Sequence, residues 1–120
     1  MDAAQLPALF AAIDRRDVEA FAQFLSPDAV FRFSAQPEVA GKAAVVAAVQ
    51  GFFGGIAGIE HALERSWELP DALVCEGQVT YTRLDGQRVS VPFANVLALA
   101  PDGLIGEYRV YVDASALFRA

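Results

Sequence analysis

His61, Asn95 and Tyr108 are polar side chains set within strongly apolar stretches of the second half of the chain. An imidazole takes up or releases a proton near neutral pH, while a carboxamide or a phenol hydrogen-bonds an oxygen that gains charge. Together these groups suit proton transfer beside a carbonyl, with His61 moving the proton and Asn95 and Tyr108 steadying an enolate oxygen. Their meeting depends on strand alternation, which sends successive side chains to opposite faces. Over 59–69 one set is Ile59, His61, Leu63, Arg65, Trp67 and Leu69, against the wetter Glu60, Ala62, Glu64, Ser66 and Glu68. Over 87–100 the bulky set Val89, Val91, Phe93, Asn95, Leu97 and Leu99 carries Asn95 inward. Over 104–113 Leu104, Tyr108, Val110 and Val112 oppose Ile105, Glu107, Arg109, Tyr111 and Asp113; a slip of one residue would exchange the two sets. A buried polar group without a partner costs about 1–3 kcal/mol. Each of the three therefore either bonds a neighbour in the core or meets a ligand, and both readings stand at this stage. Desolvation would keep His61 mostly neutral at pH 7, able to act as a base or a donor.

The elements that position these residues divide the chain into a helical first half and a strand-rich second half. Leu6, Leu9, Phe10 and Ile13 recur at helical spacing and predict a helix over 6–16. Asp17 reads as the N-cap of a second helix with the stripe Val18, Phe21, Phe24 and Leu25, which Ser26-Pro27-Asp28 ends. A short strand over 29–34 places Phe31 and Phe33 on one side, and a third helix spans about 42–53. Four strands follow at about 59–69, 72–84, 87–100 and 104–113, separated by turns at Pro70-Asp71, Asp85-Gly86 and Pro101-Asp102-Gly103. The expected architecture is α+β, a curved antiparallel sheet wrapped around three helices, in one domain over 1–120.

Composition narrows the function. Nine Lys and Arg against fifteen Asp and Glu give a net charge of −6, so nucleic acid and membrane are not expected partners. One Cys excludes an intrachain disulfide, and one His with one Cys does not build an ordinary zinc site. No metal and no cofactor is expected. Residues 51–58 hold four glycines but follow a helix and lack a Lys-Ser/Thr pair, so they read as a helix stop rather than a phosphate loop. Cys75 shares a face with Leu73 and Val79 and reads as a packed thiol. The start has no cationic leader, and Ser90, Pro92 and Asn95 interrupt the longest apolar run, so the expected location is the cytoplasm. Pro92, Ala94, Val96, Ala98 and Ala100 form a small apolar strip on the outer face of their strand, the expected surface of a homodimer. The competing reading is that Leu117 and Phe118 fold across it.

The order of these segments resembles the SnoaL-like group of the NTF2-like superfamily over essentially the whole chain. The likeness lies in Asp17-Val-Glu-Ala-Phe, Leu25-Ser-Pro-Asp-Ala-Val-Phe, Gly41-Lys-Ala-Ala-Val and above all Asp102-Gly-Leu-Ile-Gly-Glu-Tyr-Arg-Val-Tyr-Val-Asp113. That group includes ketosteroid isomerases, limonene-epoxide hydrolases and polyketide cyclases. The resemblance implies a cone-shaped sheet around an internal pocket, often in homodimers. It also implies where relatives' catalytic residues fall. The general-base Asp of the isomerases falls at Phe33, their oxyanion-hole Asp near Asn95, and their oxyanion Tyr near Leu9 or Phe10. The epoxide hydrolases' Tyr and Asn fall at Phe31 and Phe33, their final-strand Asp at Val110, and their remaining Arg and Asp near Glu76 and Gln78. Neither set is intact.

The implied pocket is bounded by Phe10, Phe31, Phe33, His61, Asn95, Tyr108 and Val110; Trp67 shares the face of His61, which puts it either at the far end of the pocket or in the packed core. Such an apolar site with few polar groups suits a small flat or cyclic hydrophobic ligand. The expected function is cofactor-free isomerisation, cyclisation or dehydration of a small hydrophobic carbonyl compound. A non-catalytic module that binds a hydrophobic ligand and a protein-binding dimer are the alternatives.

Overall fold

Leu6, Leu9, Phe10 and Ile13 bury one face of the first helix, α1 (Leu6–Asp14), which follows a 3-10 turn at Ala3–Gln5. The chain reverses at Arg16, which takes a left-handed φ of 57°. Asp17 then caps α2 (Val18–Ala22), its Oδ1 accepting from the Ala20 amide at 3.0 Å. That hydrogen bond holds the Asp17 carboxyl below its ordinary pKa. The computed structural model describes residues 1–118. The remaining elements are β1 (Leu25–Phe33), β2 (Val39–Ala40), α3 (Lys42–Gly54), β3 (Ile56–Leu69), β4 (Ala72–Arg83), β5 (Arg88–Leu99) and β6 (Ile105–Val112), with a closing 3-10 turn at Ser115–Phe118.

The strands form one sheet in the order β2-β1-β6-β5-β4-β3. Gly86 and Gly103 supply the left-handed residues of the last two expected turns, with φ of 88° and 82°. The four long strands are antiparallel, but β1 lies parallel to β6. The sheet is therefore mixed, where the sequence reading expects it to be wholly antiparallel. Short turns set direction only between consecutive strands, and β1 reaches β6 after all the intervening elements. β1 also begins at Leu25 instead of 29. Leu25 pairs with Ile105 and Val30 with Glu107, and the irregularity between them spares Pro27 from having to donate to the ladder. The three helices fill the concave side around fully buried Leu6, Leu9, Leu25, Val45, Leu73 and Leu97. This is the expected α+β cone.

Two irregularities change which side chains face inward. On β3, Leu63 pairs with Gly77 but Arg65 pairs with Glu76, so Glu64 is an extra residue in a β-bulge. Beyond it the alternation inverts. Ser66 and Glu68 stand opposite the inward Cys75 and Leu73, while Trp67 stands opposite Val74 on the outer face, 46% exposed. Trp67 is thus not at the far end of the pocket, and Arg65 and Leu69 are also exposed. Glu68 instead accepts from the Ala3 amide at 2.7 Å and ties down the first turn. On β6, a register shift beside Leu99 buries Ile105, which simple alternation sends outward. Tyr108 points inward as expected. Leu117 lies beside Gly55, Ile56 and Leu84, at the end of the sheet and not across the outer face of β5.

The bulge depends on Gly77, because a Cβ there would sit 2.0 Å from the Ala62 carbonyl oxygen. The Gly77→Ala variant is expected to lose about 2 kcal/mol or more, the upper range for forced overpacking. The measurement is the urea unfolding midpoint. An unchanged midpoint would show that β3 shifts freely.

Candidate functional site

Between the helices and the concave sheet lies a cavity of about 500 Å³. Phe31, Phe33 and Val110 line it as expected, together with Phe52, Phe53 and Val49 from α3. Exposed Gln36, Pro37 and Glu38 flank its open end. Glu38 and His61 are the lining residues that can carry charge in the ordinary pH range.

His61 is held by Asp14 from the last position of α1. The Asp14 carboxylate contacts the ring through Oδ1, 2.6 Å from Nδ1, and accepts the His61 backbone amide through Oδ2 at 3.0 Å. A carboxylate at Nδ1 favours the tautomer that carries its proton there, so Nε2 keeps its lone pair. Phe10 stacks on the ring at 4.6 Å and Phe93 meets it edge-on at 5.1 Å. Phe10 therefore stands behind His61 and is not itself part of the cavity wall, a correction to its expected role. It serves to hold the imidazole in place. Asp14 was not foreseen as a site residue, yet its signal is present: it lies four residues after Phe10 on one helix, so both reach the same neighbour.

Asn95 and Tyr108 occupy the deep end, 2% and 3% exposed. Asn95 Nδ2 donates to the Tyr108 hydroxyl oxygen at 3.4 Å. Phe21 and Phe31 pack their rings against Tyr108, each at 5.6 Å. Burial pushes the Tyr108 phenol far above its ordinary pKa, and Tyr81 moves the same way, so both stay protonated. Tyr81 also lines the cavity and was not anticipated. His61, Asn95 and Tyr108 thus share one cavity, but they form two stations within it. His61 pairs with Val79 of β4, whereas Asn95 pairs with Cys75 from the other side. These positions are four residues apart, roughly 13 Å of strand. Among the described residues no group of three His, Cys, Asp or Glu side chains could hold a metal ion.

A sequence profile described as a SnoaL-like domain matches residues 6–108. The chain belongs to that family. Solved structures share its fold at low identity. An NTF2-like protein of unknown function from Burkholderia pseudomallei superposes with a TM-score of 0.86, at 19% identity over 97% of this chain and 93% of that one. An LEH-like epoxide hydrolase from M. tuberculosis gives 0.79, at 20% identity over 96% and 84%. TerC, co-crystallized with polyporic acid, gives 0.81, at 19% identity over 94% and 92%. No curated protein matches the chain. No helix among the described residues is long and apolar enough to cross a membrane.

Burial pushes the Cys75 thiol up to about 11 from an ordinary 9.0. The unfolded chain thus ionises first, so the stability this thiol contributes is complete below pH 9 and is lost as pH rises to 11. Urea midpoints are expected to fall across that interval, and the Cys75→Ala variant should show a shallower fall. Equal slopes in the two proteins would contradict this.

Proposed function

We propose that this SnoaL-like chain is a cofactor-free enzyme that moves a proton on a flat, hydrophobic carbonyl compound. That step is common to isomerisation, cyclisation and dehydration. The observation that carries the reading is the Asp14-held imidazole at the wall of an apolar cavity. Nε2 of His61 takes a proton from carbon, and the Asp14 carboxylate stabilises the imidazolium that results. The substrate oxygen lies against the Tyr108 hydroxyl, whose proton is available because its oxygen already accepts from Asn95. Asn95 therefore strengthens Tyr108 as a donor, and does not itself donate to the substrate as the sequence reading has it. The separation of the two stations favours a conjugated skeleton, through which charge formed near His61 reaches an oxygen near Tyr108. TerC, which shares this fold and was co-crystallized with polyporic acid, supports a ligand-binding reading.

The test is deuterium uptake from heavy water at the γ carbon of a bicyclic enone, hexahydronaphthalenone, followed by NMR. Wild-type protein should catalyse it, and His61→Ala should slow it at least ~100-fold, the low end of general acid–base contributions. Asp14→Asn, acting through His61, should slow it less and shift its pH profile. Enone that binds without exchange would establish the non-catalytic binding module instead.

We also propose that a second copy covers the outer face of the sheet. Val74, Ala94, Val96 and Ala98 make a small-residue centre there, with half-exposed Trp67 and Tyr111 beside it. The ion pairs Arg65–Glu76 and Arg109–Glu107 lie around it. Sedimentation equilibrium should give twice the chain mass of 12.8 kDa, and Val96→Arg should return the mass of one chain. A monomeric wild type would refute the dimer.

A further inference from the structure

We infer that the deep end of the cavity is a subsite for a hydroxyl group, read jointly by Asn95 and Tyr108. The inference rests on the cavity being a ligand site and adds what its ligand must carry. Asn95 is 2% exposed and lines the cavity. One of its two Nδ2 hydrogens goes to the Tyr108 oxygen at 3.4 Å, while its Oδ1 is buried with no donor among the described residues. The neighbours of this pair offer no remedy. Phe21 and Phe31 carry no donor, and the Cys75 thiol opposite is a weak one.

Tyr108 is in the complementary position. Its oxygen accepts from Asn95, so its own proton is uncommitted. The pair therefore presents an unpartnered acceptor and an uncommitted hydroxyl proton side by side, both deeply buried. A ketone or an ether oxygen satisfies Tyr108 and leaves Asn95 Oδ1 orphaned. A carboxylate places a second acceptor against it. A hydroxyl is the smallest neutral group that answers both, since its oxygen takes the Tyr108 proton while its hydrogen goes to Asn95. A carbonyl substrate meets the same demand when an O–H stands beside its carbonyl oxygen. The ligand class is thus a flat apolar molecule with a hydroxyl at its buried end.

Calorimetric titration with naphthol, its methyl ether and naphthalene separates the possibilities. Naphthol should bind about tenfold more tightly than either of the others, the effect of one satisfied buried acceptor. Asn95→Leu should abolish the difference between naphthol and naphthalene, the ratio of their affinities falling from about ten to about one. Equal affinity of all three for the wild-type protein overturns the hydroxyl subsite and leaves the apolar cavity standing. An ether as tight as naphthol overturns it too, because the Asn95 amide would then turn a donor to the cavity. Failure of all three to bind removes the ligand site, and the subsite with it.

Discussion

The Asp14 carboxylate joins the helical layer to the sheet at the wall of the cavity. One oxygen takes the backbone amide of His61 and the other lies against its ring nitrogen, so a single side chain sets both the strand position and the ring orientation. Without it the imidazole is a polar ring between Phe10 and Phe93, free to turn either nitrogen to the cavity. With it, Nδ1 is held on Asp14 while His61 lines the cavity. The helix end, the strand and the cavity wall depend on one another through this contact.

Ring contacts brace the walls of the cavity. Phe33 leans on Phe52 at 5.1 Å, and Phe52 meets Tyr81 edge-on at 6.0 Å, so the rings that could collapse inward brace one another. The sheet contributes curvature, and the bulge bends β3, the outermost long strand, where it passes Gly77 of β4. The same bulge hands Glu68 to the first turn and turns Trp67 to the outer face. Within the largely apolar wall, polar side chains stand at His61, at the Asn95–Tyr108 pair and at Tyr81, with Gln36 and Glu38 at the open end.

Much of the site was legible before any coordinates. Alternation along β5 and β6 placed Asn95 and Tyr108 inside, and the helical stripe of α1 placed Phe10 toward the sheet. The likeness to relatives placed Phe31, Phe33 and Val110 on the cavity wall. What escaped were contacts between distant segments. Phe10 shares the inner layer with the pocket residues, but only the stacking geometry shows it behind His61. Trp67 was misplaced because a single extra residue inverts every later side chain on its strand, and the partner that forces the bulge is a glycine on another strand.

By itself the sequence determined the periods: which faces of the helices are apolar, which strand residues alternate inward, and where the chain reverses. These follow from local backbone geometry, in which side-chain direction repeats over two or about 3.6 residues. Tertiary structure alone decided that β1 runs parallel to β6, that Asp14 meets His61, and that Asn95 Oδ1 is left without a donor. Those facts concern which segments pack against which, and local periodicity is silent on distance across the fold.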